Sequence, residues 1–163
     1  MISPRLETAF NEQINKELSS SYLYLAMAAH FDDQNLPGFA KWMKVQAKEE
    51  RGHAMRLWGH LNDRGGKVVL KALADPTKPF GRPREIFEEA LAHERKITAS
   101  INALHALALE EKDPAAAIFL EWFVTEQVEE EKNATDIIEK LKLTGDQSFG
   151  VLFMDQHIVG ERK

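Results

Sequence analysis

The sequence predicts an all-α protein: an antiparallel four-helix bundle with a long crossover between helices 2 and 3 and a short C-terminal fifth helix. Three observations lead there. Four long stretches repeat apolar residues every three to four positions, the pattern of an amphipathic helix. Each also carries one glutamate near its middle, set between apolar residues seven places away on both sides. Glu17 lies between Phe10 and Tyr24, Glu50 between Met43 and Leu57, Glu94 between Phe87 and Ile101, and Glu130 between Phe123 and Ile137. Seven residues are two helical turns to within about 20°, so each acid points where its apolar stripe points. Lastly, the spacing repeats. Glu17 and Glu50 are 33 residues apart, as are Glu94 and Gln127. Gln127-x-x-Glu130 thus takes the place in the second half that Glu50-x-x-His53 takes in the first, and the chain reads as two matched helix pairs.

Ser3 and Pro4 open the first helix as N-cap and first helical residue. Its stripe of Leu6, Phe10, Ile14, Leu18, Leu25 and Ala28 runs to about Phe31. Asp32 to Leu36 is polar and turn-like, and Pro37-Gly38 restarts the chain as a helix through Phe39, Met43, Ala47, Ala54, Leu57 and Leu61. Gly65-Gly66 is its stop signal. Two helices joined by so short a turn pack antiparallel.

From Lys67 to Arg82 the helical pattern breaks. Val68-Val69-Leu70 suits a brief extended stretch, and Pro76, Pro79, Gly81 and Pro83 forbid a continuous helix. Taken alone, this stretch reads equally as a surface loop. Extended, however, it spans roughly 50 Å, enough to join two parallel helices end to end. The crossover is preferred because it brings all four glutamates to one level. Pro83 opens a third helix through Phe87, Leu91, Ile97, Ile101, Leu104 and Leu107 to near Lys112. Asp113-Pro114 starts the fourth, with Ile118, Phe119, Trp122, Phe123, Ile137, Ile138 and Leu141 apolar, and Gly145 ends it. A short amphipathic segment over about 146–159 is too short to be stable alone and must dock on the bundle. The expectation is one domain over 1–163, with the bundle over about 4–142.

Composition narrows the function classes. A chain of 163 residues with 44% hydrophobic and 29% charged residues is that of a globular domain with a sizeable core. The formal net charge is -5, and no basic run accompanies it, so no nucleic-acid partner is expected. There are no cysteines, which excludes disulfides, thiolate zinc sites and iron–sulfur clusters. No apolar run is long enough for a membrane span, and the N-terminus lacks a signal-peptide core. The expected compartment is the cytoplasm.

The glutamates carry the chemistry. Glu50 and His53 are one helical turn apart on one face, as when one helix offers a carboxylate and an imidazole to a single metal ion. An unpaired acid inside an apolar stripe is costly, and four at one level repel one another unless a cation lies between them. An ion pair would explain Glu50 and His53 alone, but not the other three acids. Hard carboxylates with one imidazole form an oxygen and nitrogen donor set for a metal ion. The Glu129-Glu130-Glu131 run also has the look of a solvated helix face, and Tyr24 that of a packing residue. His93 points about 100° away from Glu94 on the helix.

With these residues in view, the chain resembles the bacterial non-haem ferritins over nearly its whole length. The specific matches are Asn11 to Glu17 with Tyr24, Glu49-Glu50-Arg51-Gly52-His53, His93-Glu94, and Trp122 with Thr125 through Lys132. The resemblance implies a di-iron centre in each subunit. Glu17, Glu50 and His53 would hold the first iron, and Glu50 would bridge to a second held by Glu94 and Glu130, with Gln127 close by. Glu49, Glu126 and Glu129, with Glu130, would form a third, more open iron site. Tyr24 would supply an electron or a hydrogen bond beside the centre. The implied function is ferroxidase and iron storage: Fe(II) is oxidised by O2 or H2O2, and ferric mineral collects in a hollow homo-oligomeric shell of 24 subunits. No haem is expected. Haem-binding bacterioferritins would need a methionine where Gly52 stands and a histidine where Glu130 stands.

Overall fold

The computed structural model describes residues 1–158, which form five helices: α1 (Pro4–Asp33), α2 (Pro37–Asp63), α3 (Pro83–Glu110), α4 (Pro114–Thr144) and α5 (Ser148–His157). No strand occurs among the described residues. Val159, the expected end of the fifth helix, lies outside them. All four long helices carry proline in the first turn, where its missing N–H costs nothing. Ser3 Oγ caps α1 by accepting from Leu6 N at 3.2 Å, and the Asp113 carboxylate caps α4 by accepting from Ala116 N at 3.0 Å. Gly65 (φ 75°) and Gly145 (φ 78°) take the left-handed backbone just past α2 and α4, the role that glycine fills without steric cost.

α2 has no cap of its own, because Leu36 precedes it. The cap comes from α5 instead: the buried Asp155 accepts from Phe39 N through Oδ1 at 2.8 Å. This places a carboxylate at the positive end of the α2 dipole. The approach is close enough that a Cβ at Gly38 would overlap the Asp155 carbonyl. The short segment that could not stand alone is thus docked at the start of α2.

The core divides into two apolar halves. One contains Tyr24, Met43, Phe87 and Ile137; the other contains Phe10, Leu57, Ile101 and Phe123. These are the eight residues that flank the four glutamates, so every acid sits at the boundary between the halves. They also give the topology. α1 and α4 run from the second half to the first, and α2 and α3 run from the first to the second. α2 and α3 are therefore parallel, and residues 64–82 cross the length of the bundle to join them. Two residues of the apolar stripes face outward. Leu25 is 47% and Ile118 67% exposed. Leu25 lies one residue (100°) past the buried Tyr24, and Ile118 is turned about 200° from Leu120.

The crossover is strapped to α1 by two asparagines. Asn11 Oδ1 accepts from Val69 N (2.7 Å) while its Nδ2 donates to Lys67 O (2.8 Å). One turn further on, Asn15 Oδ1 accepts from Lys71 N (2.8 Å) and its Nδ2 donates to Val69 O (2.9 Å). The registers match because four helical residues rise about 6 Å and two extended residues about 6.6 Å. Val69 is thereby held extended without belonging to a sheet. Replacing Asn15 by leucine removes the hydrogen bonds to Lys71 N–H and Val69 C=O, which are left to water, at a cost of about 0.5–1.5 kcal/mol each. Amide exchange at Lys71 is expected to accelerate while that of α4 stays unchanged. Unaltered exchange at Lys71 would show that the strap does not hold the crossover.

Candidate metal centre

Between the two apolar halves lies a belt of buried polar side chains. Glu17, Glu50 and Glu94 are each 1% exposed, Glu130 is 4% and His53 6%, far below what charged groups normally tolerate without a partner. All four helices contribute, as the heptad positions required. Glu17, Glu50 and His53 bring one ligand atom each to within 4.8 Å of one another, and so do His53, Glu126 and Glu130. His53 is common to both groups. Its Nδ1 is 3.6 Å from Glu50 Oε2, and its Nε2 is 4.0 Å from Glu126 Oε1. These are ion-pair separations, too long for hydrogen bonds.

Two glutamines orient the acids, and neither was singled out from the sequence. Gln13 Nε2 donates to Glu17 Oε1 at 2.8 Å. Gln46 Nε2 donates to Glu50 Oε1 at 2.8 Å and to Glu130 Oε2 at 2.9 Å. Each glutamine stands four residues before the glutamate it holds, on the same helix face. They are themselves 33 residues apart, so the spacing that picked out the acids also contained them. Gln13 is held in turn by Ser100 Oγ, which donates to its Oε1 at 2.6 Å, and Lys16 Nζ donates to that hydroxyl at 2.6 Å.

This clamping leaves one oxygen of each acid bare. Glu17 Oε2 and Glu50 Oε2 are buried side-chain oxygens with no hydrogen-bond donor. A buried carboxylate oxygen without a donor costs roughly 1–3 kcal/mol or more. Two of them converge with an imidazole in an arrangement that could hold a cation.

Glu94 is differently placed. Tyr24 donates its hydroxyl proton to Glu94 Oε1, and Gln127 Nε2 donates to Glu94 Oε2 at 3.2 Å and to Thr98 Oγ1 at 3.2 Å. Both of its oxygens are therefore engaged, and Glu94 must exchange a hydrogen bond to reach a metal. Glu49 is half-buried and Glu129 exposed, and neither belongs to the two convergent groups. His93 turns its Nε2 to Ser20 Oγ at 2.7 Å, in keeping with its 100° offset from Glu94.

Electrostatics follow from the crowding. Burial, then the Glu50 charge, push the Glu17 carboxyl well above the usual range. Burial and the charges of Glu50 and Glu130 raise Glu94 to about 8, against the opposing hydrogen bonds from Tyr24 and Gln127. Burial would raise Glu50 as well, but contact with the His53 imidazole outweighs it and holds Glu50 below its ordinary value. Burial would lower His53, yet Glu50, supported by Glu17 and Glu130, lifts it to about 9. The Glu50 carboxylate and the His53 imidazolium thus favour each other's charge, while Glu17 and Glu94 hold their protons to higher pH than usual. A cation bound between these acids would take the place of such protons.

Four antiparallel helices with a long crossover, enclosing a belt of carboxylates and one imidazole, define a ferritin-like protein. The comparisons with known proteins agree. Residues 7–144 match the family model described as a ferritin-like domain. The chain is 42% identical over 162 residues to a bacterial non-heme ferritin of Bacteroides fragilis, covering 99% of this chain and 100% of that one. It is 38% identical over 158 residues to a probable bacterial non-heme ferritin-like protein of Haemophilus influenzae, covering 97% and 96%. Among solved structures, an open pore ferritin from Archaeoglobus fulgidus superposes with a TM-score of 0.96 at 44% identity, covering 100% of this chain and 99% of that one. The chain belongs to the ferritin family.

Proposed function

We propose that the protein stores iron and is a ferroxidase, oxidising Fe(II) at a di-iron centre inside each subunit and passing the ferric product to a mineral within a hollow homo-oligomeric shell of 24 subunits. The observation that carries this reading is the pair of bare buried oxygens, Glu17 Oε2 and Glu50 Oε2, converging with His53. In the proposal these three residues receive the first Fe(II). Glu50 bridges to a second held by Glu130 and, after release from Tyr24 or Gln127, by Glu94. Gln127 stays beside the centre. Two Fe(II) would give two electrons to O2, which takes up two protons to form H2O2; two further electrons, from a second pair of Fe(II), and two more protons would take H2O2 to two waters. Protons displaced from the acids supply part of that demand. Tyr24, with its hydroxyl already on Glu94, supplies a hydrogen bond or a further electron.

A third iron position is proposed at Glu126 and Glu130, with Glu49 and Glu129 completing it. Its support is the convergence of Glu126 and Glu130 with His53, and the exposure of Glu129 fits a site that exchanges with solvent. Haem has no part in the proposal, because Gly52 carries no side chain to ligate it. No described helix is long and apolar enough to cross a membrane, and we place the protein in the cytoplasm, acting as one domain. Fe(II) added anaerobically and then exposed to air tests the reaction. Oxidation much faster than in protein-free buffer is expected, and a rate equal to the protein-free rate would contradict the proposal.

A further inference from the structure

Two oxidisable aromatic side chains adjoin the centre in contrasting surroundings, Tyr24 beside Glu94 and Trp122 beside His53. Tyr24 is buried and its hydroxyl is hydrogen-bonded to Glu94, so once a cation has displaced the Glu94 proton an acceptor lies beside the phenol as it gives up an electron. Trp122 meets the centre through His53, the ring centroids lying 5.5 Å apart at 72°. Its indole N–H meets no hydrogen-bond acceptor among the described residues. Above the Trp122 ring instead lies a cation: the Arg56 guanidinium carbon is 4.0 Å from the centroid. Arg56 makes no ion pair among the described residues, so the charge of its exposed guanidinium, reduced by solvent screening but not by a neighbouring acid, acts on the indole. A cation over an indole face stabilises the neutral ring through its quadrupole. It opposes formation of the radical cation, because two positive charges would then lie about 4 Å apart.

This asymmetry matters for the oxidation proposed above. Reduction of O2 to two waters takes four electrons and four protons, and one pair of Fe(II) supplies two electrons. Until more Fe(II) arrives, the remaining oxidising power acts on the nearest oxidisable side chain. We propose that Arg56 is a specificity-determining residue for that electron, holding Trp122 reduced so that Tyr24 is the side chain oxidised. Of the two electrons still needed, the Tyr24 hydroxyl would give one to the oxygen being reduced, its proton passing to the ionised Glu94, and a third Fe(II) would give the other. A later Fe(II) returns the electron and becomes Fe(III), while Glu94 returns the proton. Without Arg56 the indole competes for the same oxidising power, and an indole radical exposed to O2 is consumed irreversibly. The inference rests on the ferroxidase reading and adds a residue that binds no iron.

The test uses the full assembled protein and the variants Arg56→Leu and Arg56→Lys. Each is given Fe(II) and O2 in repeated cycles, with iron oxidation followed throughout. Radicals are trapped by freeze-quenching for electron paramagnetic resonance, and Trp122 oxidation products are quantified by peptide mass spectrometry. The expected result is a tyrosyl signal in the parent protein and in Arg56→Lys. In Arg56→Leu a tryptophanyl signal should appear, with oxidised Trp122 increased by about fivefold or more, the factor set by one unit charge at this distance near water. Trp42 and Trp58 serve as internal controls and should not change. If all three proteins oxidise iron but Trp122 is equally intact, or equally damaged, Arg56 does not choose the donor and the inference is overturned. A tryptophanyl signal in the parent overturns it as well. If none oxidises iron above the protein-free rate, the ferroxidase reading itself has failed.

Discussion

Replacing His53 or Glu130 by alanine is expected to slow Fe(II) oxidation strongly while leaving the helices and the oligomer in place. The loss should exceed the roughly 10–100-fold that follows when a residue merely orienting a ligand is removed, because each of these side chains offers a ligand atom directly. His53 is the sharper case, as it belongs to both convergent groups. Its loss also leaves Glu50 buried without its cationic neighbour, so the apoprotein of His53→Ala should be the less stable of the two. Glu130→Ala removes one acid from a crowded belt and relieves repulsion on Glu94. Circular dichroism and sizing check the fold, and stopped-flow absorbance checks the rate. Unchanged oxidation in both variants would remove the assigned centre.

The second large effect is on the stability of the metal-free protein against pH. Glu94 has a folded pKa of about 8 against an ordinary value of 4.5, and His53 about 9 against 6.5. Both are raised, so the folded state holds protons that the unfolded chain has released. The stability that Glu94 contributes is complete below about pH 4.5 and is lost as pH climbs through 8; that of His53 is complete below about 6.5 and is lost through 9. Glu17, also raised, acts in the same sense. Each proton held only by the folded form gives a slope of about 1.4 kcal/mol per pH unit. Glu50, held low, works the other way, losing its contribution as pH falls through its folded value. The apoprotein is therefore expected to melt at a progressively lower temperature between about pH 6 and 9. Glu94→Gln should flatten part of that decline. A redox-inert divalent ion such as Zn2+ should reverse it, since the metal takes over from the protons and binds more tightly as pH rises. A melting temperature that rose with pH without metal would show that the acids are not protonated in the folded state.

Much of this was legible in the sequence because the signal is periodic. A glutamate at the centre of an apolar heptad contradicts its surroundings, and four such contradictions at matched spacing locate the polar belt, the bundle and the topology together. All eight flanking residues fall in the two core halves as that pattern requires. The expected crossover is present, although its register against α1 was not foreseen. Asparagine is so common at turns and caps that Asn11 and Asn15 give no hint of grasping a strand 54 to 58 residues away. Gln13 and Gln46 did repeat at the right spacing, but a neutral amide in a helix stripe looks like an ordinary edge residue until its partner is seen. The engagement of Glu94 by Tyr24 and Gln127 depends on side-chain rotamers that spacing cannot encode. The errors at Leu25 and Ile118 have a simpler cause. Leu25 lies at the edge of its stripe, where leucine occurs on either side of the boundary, whereas Ile118 stands on the face opposite the stripe, an outward-facing apolar group of the kind ordinary on a protein surface.

The central claim is tested most directly by adding Fe(II) to the apoprotein in air and then sizing the product while protein absorbance and iron content are recorded together. The account predicts rapid oxidation, with far more iron than the ligands of each chain can bind eluting with the protein in one large soluble particle. Rapid oxidation with only a few irons per chain, in a small oligomer, would contradict storage and leave a di-iron oxidase. Oxidation no faster than in protein-free buffer would contradict the centre itself.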